Sequence, residues 1–350
     1  MLFRIIFCFI STAALSAEWL DLEEMSQSFV LETRRIEIPG HPYAFNPSMI
    51  RWNDRILMSF RILPGNRKSF SSLIGVIWLD ANFNPVSEAQ ILDLRASQPD
   101  TPSRAEDARL VAVGQRLYMV YDDNVDPKVT KGGFRLYVAE LITVGSKVFP
   151  INIDCMASFE GESKSIREKA WVPFDYRGNL LLAYSLMPHR IFKPLLGRSS
   201  CETIAQSSGA IDWDLGILRG GTPALFGVSK DDEYLAFFHS SRDLATLHSN
   251  GKEILHYFMG AYTFESEPPF AIKKISPEPI IGKNFYRGET YQPYWKPISA
   301  VFPCGYIADG DFLWICYGRQ DHETWIAKLD KKGLLNSLIP VLPAEKVPLK

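Results

Sequence analysis

The sequence predicts an all-β chain: a five-bladed β-propeller with four-stranded blades, its ring closed by an N-terminal strand. Three observations carry that expectation. One strand–turn–strand layout recurs five times, most recurrences are followed by two further strand-like runs, and long amphipathic helical patterns are nearly absent.

The five recurrences begin at Phe45 (FNPSMIRWNDRILMSFRI), Glu106 (EDARLVAVGQRLYMVYDD), Glu168 (EKAWVPFDYRGNLLLAYSL), Gly220 (GGTPALFGVSKDDEYLAFFHS) and Val301 (VFPCGYIADGDFLWICYGRQD). Each opens on small, polar or proline residues and runs into a short apolar strand. A polar turn follows, and a second apolar strand ends on Arg61, Asp122, Ser185, His239 or Arg319. Strand, tight turn and strand make a hairpin. SLIGVIWLD and EAQILDL add two strands after the first hairpin, FRLYVAELI and VFPINID after the second, and ILHYFMGAYTFE and FAIKKISPEPI after the fourth. The last unit lacks a strand after TWIAKLD, and FVLETRRIEI (Phe29 to Ile38) is available to supply it. A β-sandwich or two separate β domains would not need the same opening motif five times. No Ser-, Gly- or Pro-rich linker divides the chain.

Composition narrows the class. The chain has 350 residues, 46% hydrophobic and 22% charged, with a formal net charge of −2. A sizeable core is available, disorder is disfavoured, and nothing suggests nucleic-acid binding. The N-terminus, MLFRIIFCFISTAALSAEW, has Arg4 ahead of an apolar run from Ile5 to Leu15, then small residues. That is the pattern of a secretory signal peptide over residues 1–17, cut near Ser16 or Ala17. It predicts a secreted or periplasmic product whose folded domain spans residues 18–350, with no membrane span once the signal is removed. Cys155, Cys201, Cys304 and Cys316 then remain. Cys316 reads as a buried free thiol, and Cys155 with Cys201 as the better disulfide pair. The absence of C-x-x-C and H-E-x-x-H leaves a zinc site without support.

In a propeller the inner strands converge on one axial pocket. Asn46, Ser48, Arg61, Glu106, Asp107, Arg109, Lys169, Thr222, His239, Arg319, Gln320 and Asp321 all stand where hairpins begin or end. Turn chemistry alone would favour Gly, Asn and Asp and would not call for Arg, Lys and His.

The motifs FNPS, SFR, EDAR, EKAWVPF, GGTP, FPCG and YGRQD occur in an order that resembles glycoside hydrolase family 130. That family comprises inverting β-mannoside phosphorylases and β-1,2-mannosidases, with mannosyltransferases as relatives. The resemblance runs from about Phe45 to Asp330. It implies Asp107 as general acid, with Ala108 where the family's motif has proline. It implies Asn46, Ser48, Arg61 and Asp321 as holders of the sugar. It also implies basic residues for inorganic phosphate as co-substrate, with Lys169 and His239 as candidate anion ligands and no other cofactor. The family's H-R-P place reads YSLMPHRIF here, so Pro188, His189 and Arg190 are shifted or altered, which leaves hydrolysis and glycosyl transfer open beside phosphorolysis. The substrate would be an oligosaccharide or glycan. Glu106, Arg109, Thr222 and Arg319 complete the expected substrate-binding ring. The alternative from another class is a propeller that binds a glycan or protein without catalysis.

Overall fold

The computed structural model describes residues 19–64, 71–94, 103–125, 133–163, 167–229, 231–288 and 297–343. The expected signal peptide lies outside the described residues. Strands dominate, and no helix among the described residues is long and apolar enough to cross a membrane.

Four sheets are regular four-stranded antiparallel blades. The first contains Phe45–Trp52, Arg55–Ile62, Leu73–Leu79 and Gln90–Ile91. The second contains Glu106–Val113, Arg116–Asn124, Phe134–Val144 and Lys147–Cys155. The third contains Val172–Tyr176, Asn179–Leu186, His189–Leu195 and Ser200–Ser207. The last combines Val301–Asp309, Phe312–Arg319 and Glu323–Asp330 with the N-terminal strand Val30–Arg35, which pairs antiparallel with Glu323–Asp330. The ring therefore closes with strands from both ends of the chain.

The fourth recurrence departs from the regular four-stranded pattern. It is a seven-stranded sheet built on two 13-residue strands, Glu233–Ala245 and Glu253–Glu265, paired along their whole length. Strands of that length run on past His239, where the other hairpins stop.

Alternation along the central strands explains the ring. Side chains of neighbouring residues point to opposite faces of a strand. Leu57 packs towards the second blade and Met58 towards the last; Leu110 faces the first blade and Val111 the third. Leu181 and Leu182, Phe237 and Phe238, and Ile315 and Cys316 divide in the same way. Each apolar cluster is thus shared by two adjacent sheets. Truncating one such ring, for example Phe237→Ala, costs about 3–5 kcal/mol.

Cys155, Cys201, Cys304 and Cys316 are free thiols, so the expected Cys155–Cys201 disulfide is not formed. Burial pushes the Cys155 thiol up to about 11 and Cys201 up to about 12, which suppresses the thiolate needed for exchange. Cys316 is buried and donates to the Pro47 and Gly305 carbonyls.

Candidate active site

The inner strands of the first two blades begin with the same distortion. Their pairing registers break between Phe45 and Ser48 and between Glu106 and Arg109. At those bulges Asn46 and Asp107 take left-handed backbone conformations, with φ of 47° and 57°. Asn and Asp are the side chains that tolerate this region best, and a bulge re-aims the side chain it carries. Ala170 repeats the conformation in the third blade at φ 64°. In the first two blades the bulge is the device that turns Asn46 and Asp107 toward each other.

Asn46 Nδ2 donates to Asp107 Oδ1 at 2.8 Å, across the boundary between two blades. Space for this contact depends on Gly318, where a Cβ would lie 2.0 Å from Asn46 Oδ1. Arg61, at the end of its hairpin, places Nη2 2.5 Å from Glu106 Oε2 and Nη1 3.6 Å from Asp107 Oδ1. Its Nε donates to Ser72 Oγ at 2.7 Å, and Ser72 passes the chain on to the Ala105 carbonyl. Lys169 donates to the other oxygen of Glu106. Glu106 is therefore saturated by two cations, whereas Asp107 keeps one oxygen outside these contacts.

Asp321 joins the same cluster. Burial pushes its carboxyl up to about 6, Asp107 adds to that push, and Arg61 and Lys169 oppose it. Gln320 and Asp321 are consecutive left-handed residues, at φ 52° and 55°. The Gln320 side-chain carbonyl accepts the Ala300 amide at 2.6 Å, which fixes the turn.

Positive charge collects on one side. Burial, together with Arg61, Arg104 and Arg219, brings Lys169 down to about 7. Arg104, Arg167 and Lys169 all lie over the Phe134 ring, at 5.1, 4.0 and 4.7 Å from its centroid. Burial lowers both Arg104 and Arg167; repulsion from Arg167 and Arg61 adds to the first, and repulsion from Arg61 to the second. The cluster gains from any anion that enters it.

Other expected residues stand close by with their polar groups engaged in the fold. Ser48 is fully buried, and its hydroxyl accepts the Leu110 amide at 3.0 Å. Arg109, also fully buried, donates to the carbonyls of Gly221, Asp107 and Gly220 and so spans the axis to the fourth unit. Thr222 Oγ1 accepts the Phe237 amide at 3.0 Å. Arg319 is held by Glu323 and the Asn284 carbonyl and stacks on Trp325. His239 is buried against Phe302, 4.4 Å between ring centroids. Burial and the charges of Arg109 and Arg219 bring it down to about 3, so it is neutral. At the altered H-R-P place, His189 donates to the Phe270 carbonyl and Arg190 turns to Glu160 and Thr203.

Four residues near this cluster carry no weight in the sequence reading. Arg104 and Arg167 each stand three positions before a left-handed axial residue, Asp107 and Ala170, and that shared offset is a usable signal. Tyr257 lies where Asp321 and Asp107 act on its phenol and burial raises it; its ring stacks on His239 at 6.0 Å. It lies on the expected strand ILHYFMGAYTFE, in the part that pairs with the extension of the preceding strand beyond His239, which the repeat does not predict. Asp122 is wholly buried opposite Glu106. Burial pushes it well above the usual carboxylate range, and Arg109 counters only in part. Among the described residues, no group of His, Cys, Asp and Glu is arranged to hold a metal ion.

The family model for glycoside hydrolase family 130, described as β-1,4-mannooligosaccharide phosphorylase, matches residues 18–339. No curated protein matches the chain by sequence. Several solved structures share its fold. A glycosyl hydrolase from Bacteroides ovatus is 14% identical, with a TM-score of 0.59, covering 90% of this chain and 94% of that one. A β-1,2-mannobiose phosphorylase from Listeria innocua is 14% identical, at 0.54, covering 87% and 92%. A GDP-Man-dependent mannosyltransferase from Leishmania mexicana is 10% identical, at 0.58, covering 87% and 91%. At these identities the structural likeness speaks for the fold alone.

Proposed function

The chain belongs to glycoside hydrolase family 130, and we propose that it cleaves β-mannosidic bonds with inversion, Asp107 serving as general acid. The observation that carries this reading is the asymmetry between the two adjacent carboxylates. Glu106 is bound by Arg61 and Lys169, while Asp107 is presented on a bulge with one oxygen outside its contacts with Asn46 and Arg61.

The chemistry follows from that placement. Protonated Asp107 gives its proton to the glycosidic oxygen as the bond from the mannose C1 to that oxygen breaks. An acceptor oxygen forms the new bond to C1 from the opposite face. With inorganic phosphate as acceptor the products are α-mannose 1-phosphate and a glycan shortened by one residue. With water they are α-mannose and the same glycan. The cations around Lys169 favour phosphate, because an oxyanion there meets Lys169, Arg104, Arg167 and Arg219. Asn46, Arg61 and Asp321 hold the mannose beside the acid, and Tyr257 offers an aromatic face.

The same cations support a second reading, mannosyl transfer from a diphosphate donor, which would place two phosphates where phosphorolysis places one. One experiment separates these outcomes. A panel of β-linked manno-oligosaccharides is incubated with and without phosphate, and the products are assigned by NMR. Phosphate-dependent α-mannose 1-phosphate supports phosphorolysis, and free α-mannose without phosphate supports hydrolysis. Product of β configuration would refute inversion. With GDP-mannose added as donor, lengthening of an oligosaccharide with release of GDP would favour transfer.

A further inference from the structure

The N-terminal segment reaches the sugar end of this cluster through an unbroken set of contacts. Glu23 sits in the short 3₁₀ turn Leu22–Met25, whose N-cap Asp21 accepts the Glu23 amide at 2.9 Å. Asp21 also pairs with His248 Nε2 at 2.8 Å, which anchors the turn on the long hairpin. Glu23 is buried, although it is a charged residue near a chain end. Its Oε1 accepts the amides of Tyr286 and Arg287 at 3.3 and 3.2 Å, and its Oε2 lies 2.7 Å from Arg287 Nε. Gln27 adds a second clamp, exchanging side-chain hydrogen bonds with the Ile281 amide and the Pro279 carbonyl.

The stretch so held then holds the site. The Tyr286 hydroxyl donates to the Tyr257 carbonyl at 2.9 Å. The Tyr286 carbonyl accepts Gln320 Nε2 at 3.5 Å, and the Asn284 carbonyl accepts Arg319 Nη1 at 2.7 Å. Residues 284–286 thus grip both residues that precede Asp321, and the backbone beneath Tyr257. Two left-handed residues in succession persist only where their surroundings over-determine them. At Gln320 and Asp321 part of that surrounding is supplied by a stretch whose own amides end on one carboxylate.

We propose that Glu23 is a positioning residue for the sugar-holding side of the site: it seats residues 284–287, which in turn seat Tyr257, Arg319 and Gln320 around Asp321. This rests on the reading that Asp321 holds the mannose, and it assigns the N-terminal segment a part in substrate binding rather than in ring closure alone. Glu23 touches no substrate. Its loss therefore weakens binding of ground state and transition state alike, raising KM while kcat holds.

The test uses the full chain with Glu23→Ala and Glu23→Gln. Backbone hydrogen exchange is followed at 284–287 and 319–322, and kcat and KM are measured on a β-mannoside that the wild type accepts. Glu23→Ala is expected to speed exchange in both stretches and to raise KM about tenfold with kcat within about threefold. Glu23→Gln keeps an acceptor for the two amides and should recover most of both effects. Unchanged exchange at 319–322 in Glu23→Ala would overturn the proposal. So would an unchanged KM, or a Gln variant no better than Ala. Should Glu23→Ala fail to fold, Arg287→Ala cuts the ion pair from the other side, with the same increase expected at both stretches. A wild type inactive on every β-mannoside would defeat the reading of the reaction, while exchange at 319–322 would still decide the positioning role.

Discussion

Asn46 and Asp107 occupy equivalent bulges of neighbouring blades and meet in a 2.8 Å hydrogen bond. One repeat unit thereby orients a carboxylate of the next, the one we propose as the acid. The donated amide hydrogen restricts the Asp107 rotamer, and an amide is not a base that would compete for a carboxyl proton.

Asp107→Asn is expected to leave the fold intact and to abolish turnover. Losing a positioned general acid costs on the order of 10²–10⁴ in rate. Measured kcat together with the thermal midpoint checks it. Near-normal kcat in a well-folded variant would remove Asp107 from the role.

Ser48 and Asp321 should separate. Ser48→Ala strands the buried Leu110 amide, so stability falls by about 1–3 kcal/mol while sugar affinity holds. Asp321→Ala should do the reverse, weakening mannose binding about tenfold or more with little change in midpoint. Calorimetric binding and denaturant unfolding of both variants read the two effects independently. Equal loss of affinity in the two would return Ser48 to the substrate.

The pH dependence of phosphate binding should follow Lys169. With its ammonium brought from 10.5 down to about 7, an anion held there is bound below about pH 7 and released above it. Lys169→Gln should flatten that profile. Stability responds in the opposite direction, because from about 7 to 10.5 the folded chain binds fewer protons than the unfolded one. Lys169 therefore makes stability rise with pH across that window. Asp321, raised from 3.8 to about 6, contributes stability that is full below 3.8 and lost as the pH climbs to about 6. Phosphate titrations at several pH values test the first statement, and denaturant midpoints across pH test the others.

Arg109→Met should be among the most damaging substitutions near the axis. It leaves the carbonyls of Asp107, Gly220 and Gly221 without their donor, and each unsatisfied group costs about 1–3 kcal/mol. The expected result is a midpoint lowered by many degrees, together with lost activity. A stable, active Arg109→Met would show that the second and fourth units do not depend on this crossing.

Much of the architecture was legible because it is local. Asn53-Asp54, Gly114-Gln115 and Gly310 mark turns between apolar runs, and the structure bends at each of them. Glu106, Asp107, Arg61, Lys169 and Asp321 were legible as a cluster because they stand where the hairpins of the repeat begin or end, at the same end of each unit. What was not legible depends on contacts between distant parts of the chain. Nothing in EYLAFFHSSRDLA says that its strand continues beyond the blade, so Tyr257 went unweighted. Glu23 looks like a leading acidic residue until residues 284–287 fold over it. Ser48, Arg109 and Thr222 have polar groups that a sequence assigns to substrate as readily as to a backbone amide or carbonyl, and only geometry places them on the backbone.

The ring closure has a consequence for how the protein is made. Val30–Arg35 leaves the ribosome long before its partner Glu323–Asp330, because most of the propeller is translated between them. At about 5–20 residues per second, the first strand waits roughly fifteen to sixty seconds as an unmatched edge. Such an edge invites pairing with other nascent chains. Its sequence, VLETRR, carries Glu32, Arg34 and Arg35 within six residues, and charge is what keeps a waiting edge from finding the wrong neighbour. Replacing those charges with valine or isoleucine should leave the finished propeller serviceable and lower the yield of soluble chains during synthesis.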